Sequence, residues 1–105
     1  MVIALYRPHD GKDVDLRRLI AEHVPALRRL ALITERPAVL LRAANGTYLE
    51  IFEWASAAAA RSAHDHAEIA RIWDAMGAIA DFAPLDSLEE SHRPFAPFAA
   101  VEADA

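Results

Sequence analysis

Ala38-Val39-Leu40-Leu41-Arg42-Ala43-Ala44-Asn45-Gly46-Thr47-Tyr48-Leu49-Glu50-Ile51-Phe52-Glu53-Trp54 places two apolar runs on either side of an Asn-Gly pair. Asn-Gly tolerates the positive φ angles of a tight turn, so the spacing predicts a β-hairpin with strands over 38–43 and 48–54. Side chains alternate along a strand. Tyr48, Glu50, Phe52 and Trp54 therefore share one face, and Leu49, Ile51 and Glu53 share the other. Both faces carry large apolar groups, so both need cover.

Downstream, Ser56 caps a helix that starts on the alanines 57–60. His64-Asp65-His66 marks a break in it, and Ile69, Ile72, Trp73, Met76 and Ile79 form an apolar stripe. Phe82 to Leu88 reads as a turn with a short helical piece around Leu85. Pro94 to Val101 reads as a last strand, whose prolines favour an edge or a bulge. Asp104 and Ala105 are expected to fray.

Upstream, Val2 to Arg7 reads as a first strand and His9-Asp10-Gly11 as a turn. Asp13 is placed to cap a helix, with Asp15 facing its dipole. Leu16, Leu19, Ile20, His23, Leu27 and Leu30 recur at helical spacing, with the arginines and Glu22 mostly opposite. Pro25 predicts a kink or a restart. Glu35-Arg36-Pro37 ends the element.

The order β-α-β-β-α-β is the ferredoxin-like α+β pattern, in one domain over 1–105. Two helices cover one sheet face and leave the other open, about half wet. Such a patch marks an interface. The expectation is a homodimer that packs its sheets face to face.

Composition narrows the function classes. The net charge is −5, and the arginines are scattered among acids, so no basic face exists to bind nucleic acid. No apolar run reaches the ~20 residues of a membrane helix. Met1 to Tyr6 has no basic lead-in and no small-residue cleavage site, so no signal peptide is expected. The chain has no cysteine, which removes disulfides, thiolate nucleophiles and cysteine metal sites and fits a cytoplasmic setting. Asn45-Gly46-Thr47 fits a glycosylation sequon, but its turn role is the better reading. No glycine-rich phosphate loop and no Ser-His-Asp arrangement can be argued.

Glu50 lies mid-strand on the face shared with Tyr48, Phe52 and Trp54. Covered, it must be paired, hydrogen-bonded or protonated. It is either a tuned acid–base group or a structural carboxylate bonded to a partner subunit or to Arg42 across the hairpin. His23, on the apolar stripe of the first helix, can donate to Glu50, to a ligand or to a backbone carbonyl. His64 and His66 are about 200° apart around an unbroken helix and cannot share one metal. No metal or other cofactor is expected. Trp54, Trp73, Tyr48, Phe52 and Met76 are either the wall of an aromatic pocket or plain core.

Tyr48 to Ser56, followed by Ala63-His64, resembles the antibiotic-biosynthesis-monooxygenase-like domains of the dimeric α+β barrel superfamily. The resemblance runs from Val2 to Val101 and implies a pocket in each subunit between sheet and helices. It implies that Trp54 takes the place of the strand-end tryptophan and that His64 lines the pocket or, in a haem-degrading branch, binds haem iron. The first strand carries no asparagine where the oxygen-activating branches have one. The function expected is binding or conversion of a small hydrophobic or aromatic metabolite. As an enzyme it would work by proton abstraction or cofactor-free oxygenation, with Glu50 or His64 as base and His23 as oxyanion donor. A non-catalytic ligand-binding dimer and a haem protein are the alternatives.

Overall fold

A computed structural model describes residues 1–102. The expected fraying of Asp104 and Ala105 lies outside the described residues. The chain runs β1 (Val2–Pro8), α1 (Asp13–Arg29), β2 (Val39–Arg42), β3 (Tyr48–Phe52), α2 (Ala57–Ser62), α3 (Ala67–Ile79), β4 (Ala80–Phe82) and β5 (Ala99–Ala100). Five strands form one antiparallel sheet in the order β4-β1-β3-β2-β5. With three helices this is an α+β fold.

The hairpin forms, but with a longer loop than two residues. Ala43 N–H donates to the Thr47 carbonyl at 2.8 Å, enclosing Ala44, Asn45 and Gly46. Only Gly46 takes a positive φ, +92°. The Asn45 side chain instead accepts from Thr47 N–H at 3.0 Å. That arrangement suits a three-residue hairpin with glycine at its left-handed position.

α1 runs through Pro25 without a restart. Its N-cap is Lys12, with no side-chain cap. Asp13 is the first helical residue, and its carboxylate accepts from Tyr48 Oη at 2.7 Å and from Arg42 Nη2 at 3.1 Å. The expected cap thus ties the helix start to the hairpin. α1 also ends at Arg29, well before Glu35-Arg36-Pro37. Ala31 N–H donates to the Arg28 carbonyl and Leu32 N–H to the Leu27 carbonyl. Ala31 sits at φ +57°. This is a Schellman stop with alanine where glycine is usual. Residues 32–34 then run beside the end of β3, with Ile33 paired to Trp54.

Ser56 caps α2, its Oγ accepting from Ala59 N–H at 3.0 Å. The break at 64–66 is real: a 3-10 turn spans Ala63–Asp65, and His66 is extended at the start of α3.

The C-terminal strand is shorter than 94–101: only Ala99–Ala100 pair, with β2. The strand after α3 is Ala80–Phe82, which pairs with β1 at the other edge. Three residues running straight out of a helical stripe carry no period-2 signal, so the turn reading of Phe82 misses them.

The helical face holds the main core, in which Leu16, Ile20, Leu27, Ile69, Ile72 and Met76 are fully buried. The second face is not simply open. Leu5 and Leu49 are buried there beneath the C-terminal segment through Leu88 and Phe98. Glu90 fastens that segment, accepting from Ala44 N–H at 2.8 Å. This bond holds the Glu90 carboxyl below the usual carboxylate range. One row stays exposed. Ile3 and Val39 both pair with Ile51, and Ile3 and Val39 are each 46% exposed.

Ala31 gives the fold a direct test. A non-glycine residue in the left-handed region costs about 1–2 kcal/mol, part of which glycine recovers after its larger unfolded-state entropy. Ala31→Gly is expected to raise unfolding free energy by roughly 0.5–1 kcal/mol in urea melts. An unchanged or lower midpoint would contradict the strained stop.

Candidate functional site

Glu50 occupies the middle of the central strand, with Ala4 opposite on β1 and Leu40 opposite on β2. It is 3% exposed. The small Ala4 side chain leaves room above the sheet, and two donors enter that room. Tyr6 Oη donates to Glu50 Oε1 at 2.9 Å. His23 Nδ1 lies 2.7 Å from the same oxygen. On the far side of the imidazole, Trp73 Nε1–H donates to His23 Nε2 at 2.8 Å.

The indole can only donate, so His23 Nε2 must accept and Nδ1 must carry the hydrogen. The chain of bonds is therefore Trp73 to His23 to Glu50, with Tyr6 joining at Oε1. Among the described residues no arginine or lysine reaches Glu50. Burial, reinforced by the Glu50 carboxylate, holds the Tyr6 phenol well above its usual range. A buried carboxylate served by two neutral donors is costly, and such sites are where acid–base chemistry is found.

Tyr6, His23 and Trp73 of this network line an apolar cavity of about 310 Å³. Val2, Ala4 and Tyr6 of β1 make the floor with Phe52 of β3, and Trp54, Phe82, His23 and Trp73 complete it. The aromatic rings pack edge to face. Phe52 meets Trp54 at 5.2 Å and His23 at 5.8 Å between ring centres, and Tyr6 meets Phe82 at 5.8 Å. A flat apolar molecule suits these walls.

A second cavity of about 410 Å³ lies on the other side of Glu50, between α1 and β2. A third hollow, of about 480 Å³, opens between the hairpin tip and the C-terminal segment. Its charges are already engaged: Arg42 with Asp13, Arg93 with Glu89, and Glu90 with Ala44 N–H.

The sequence candidates divide as follows. The structure brings Glu50, His23, Phe52, Trp54 and Trp73 together. Glu50 is bonded to Tyr6 and His23, whereas Arg42 turns to Asp13. Tyr48 is buried but lines neither the first nor the second cavity, because its hydroxyl is held by Asp13. Met76 is buried core. The His64 side chain is 67% exposed beside Asp65 and lines none of these cavities. Glu53 faces away from the network. The Thr34 hydroxyl, then Arg36, hold its carboxyl below the usual range. Among the described residues no group of three or more His, Asp or Glu side chains is placed to hold a metal ion.

Tyr6 was missed. The alternation Val2, Ala4, Tyr6 groups it with one face of β1. Which face depends on the register that sets Tyr6 against Tyr48, and register is not readable from β1 alone.

The two tyrosines make a pH test. Burial, then the bond to Asp13, push the Tyr48 phenol up from 10.0 to about 12. Tyr6 is raised as well. Below pH 10 both phenols are neutral in either state, and their contribution to stability is whole. As pH climbs from 10 toward 12 the unfolded chain ionises first, so stability falls. Tyrosinate absorbance is expected to appear together with loss of helical circular dichroism. Tyrosinate forming near pH 10 in the folded protein would contradict the two buried bonds.

Comparison with protein-family models, curated proteins and solved structures found no match in any of the three, so the chemistry of the site rests on its geometry.

Proposed function

We propose that this chain is a small-molecule-binding protein of the dimeric α+β barrel type, whose first cavity takes a flat hydrophobic or aromatic metabolite. The observation that carries this reading is the Trp73–His23–Glu50–Tyr6 chain, whose Trp73, His23 and Tyr6 stand in the wall of an otherwise apolar, aromatic cavity with Glu50 behind them. The ferredoxin-like, barrel-forming part of the reading is supported by the strand order β4-β1-β3-β2. The homodimer is supported by exposed Ile3 and Val39 flanking half-buried Ile51 on the outer face. Light scattering that gives a monomer mass at every concentration would remove the dimer.

The reaction this site serves is proton abstraction from a phenolic or activated carbon acid, with cofactor-free oxygenation as its extension. His23 is the base that faces the cavity. Its Nε2 is occupied by the Trp73 indole, so a ligand must displace that N–H before a proton can be taken. Glu50 then stabilises the imidazolium through Nδ1. The second reading, a binder without turnover, is favoured by one specific feature. His23 and Tyr6, the polar side chains lining the first cavity, already have hydrogen-bond partners within the protein.

Both tryptophans of the chain line the cavity, which supplies a reporter. Titration with naphthol is expected to quench their fluorescence saturably, and Ala4→Phe, which fills the floor, to abolish saturation. Non-saturable quenching in the wild type would overturn the binding site. Oxygen uptake with a dihydroxynaphthalene separates the two readings. Turnover that falls by about a hundredfold or more in Glu50→Gln supports Glu50 as the group that backs the His23 base. Binding without turnover leaves the non-catalytic reading.

A further inference from the structure

The second cavity is lined by an acceptor and a donor of opposite charge, each with an atom unpaired among the described residues, on a largely apolar surface. Ile20 and Val24 of α1, Leu40 of β2 and Val101 supply the apolar surface. Glu50 lines this cavity and not the first one. Tyr6 and His23 both bond to its Oε1, which leaves Oε2 without a partner among the described residues. Glu50 as a residue is 3% exposed, and this free oxygen is not sealed off, so it is open to whatever occupies the cavity.

Arg28 lines the same cavity. Its Nη2 is used, donating to the Arg36 carbonyl at 3.1 Å. Its Nε is buried and has no hydrogen-bond partner. The Glu35 carboxylate stands 3.8 Å away, beyond bonding distance, and that side chain is 89% exposed. A buried guanidinium N–H left unpaired costs stability unless something else accepts from it. Pro25, also in the lining, has no N–H to return to the Ala21 carbonyl beside it. Glu102 is the remaining charged residue in the lining.

The two orphans are an acceptor and a donor of opposite charge. His23 marks the Glu50 end of the cavity, and Arg28 follows it on the same helix, ~7.5 Å further along the axis. We propose that this cavity binds a small molecule with a flat or extended apolar body, a hydroxyl or ammonium donor at one end for Glu50 Oε2, and a carboxylate at the other for the Arg28 guanidinium. A phenolic carboxylate has this form and about this span. The site shares Glu50 with the hydrogen-bonded chain beside the first cavity but needs no ligand there, so it stands if the proposed reaction fails.

Three probes separate the contributions: para-hydroxyphenylacetate with both end groups, phenylacetate with only the anion, and para-cresol with only the donor. Backbone-amide NMR of the full chain locates each one. The expected result is that para-hydroxyphenylacetate shifts the amides of Ala21, Val24, Leu40 and Val101, leaves those of Val2 and Phe82 in place, and binds about tenfold more tightly than either comparison compound. Arg28→Met is expected to weaken it to the level of para-cresol and to leave para-cresol unchanged. Ala38→Trp, at another position in the lining, is expected to block all three. The amide spectrum of each free variant shows that it is folded. Shifts confined to the first cavity, equal affinity for the three probes, or a folded Arg28→Met that binds as the wild type would each overturn the proposal.

Discussion

The constraint on which the rest depends is a carboxylate in the middle of the central strand. Glu50 cannot be moved to solvent without a register slip that would turn Tyr48 and Phe52 out of the core as well. The fold therefore brings donors to it. One comes from β1, where Tyr6 reaches diagonally across the sheet. The other comes from α1, where His23 lies on the stripe that packs the helix down. The same contacts that satisfy the charge also fix how α1 and β1 sit on β3. A third contact at the hairpin end supports this arrangement, because Asp13 holds both the Tyr48 hydroxyl and Arg42. α1 is thus pinned to the sheet at its first turn and again at its middle.

Pinning α1 along the middle of the sheet divides the space beside it. Towards β1 and β4 the gap is closed by α3 and its Trp73, which gives the aromatic first cavity. Towards β2 the gap is closed by the C-terminal strand, where Val101 N–H donates to the Leu40 carbonyl at 2.9 Å. Glu50 stands at the partition, with one oxygen engaged and the other free. The short strands β4 and β5 sit at the two sheet edges, where brief pairing limits edge-to-edge association.

The hairpin, the serine cap, the break at the histidines and the two helical stripes were legible because each rests on local chemistry with its own period or punctuation. Pairing Glu50 with His23 was legible for a related reason, since both lie on faces that their periodicity turns inward. What escaped depends on partners far along the chain. Tyr6 could join the site only once its register against Tyr48 was known. The end of α1 was misplaced because an alanine, not a glycine, takes the left-handed position. The resemblance put His64 in a pocket, but the 3-10 turn carries its side chain to the surface. The cover on the second sheet face comes from Leu88, in a segment whose periodicity is too short to assign to any face.

The tautomer of His23 carries the last consequence. Trp73 donates to Nε2 and Glu50 accepts at Nδ1, so the imidazole is a neutral relay held between a donor and an acceptor. Both nitrogens have hydrogen-bond partners within the protein. Under the proposed reaction a ligand would reach Nε2 only by giving the indole N–H another acceptor, which an aromatic oxygen on the ligand can be. Apolar contact alone would fill the space without releasing Nε2. The geometry thus discriminates between molecules that fit and molecules that fit and also accept a hydrogen bond at the Trp73 edge. Only the second kind would free an imidazole nitrogen backed by a buried carboxylate.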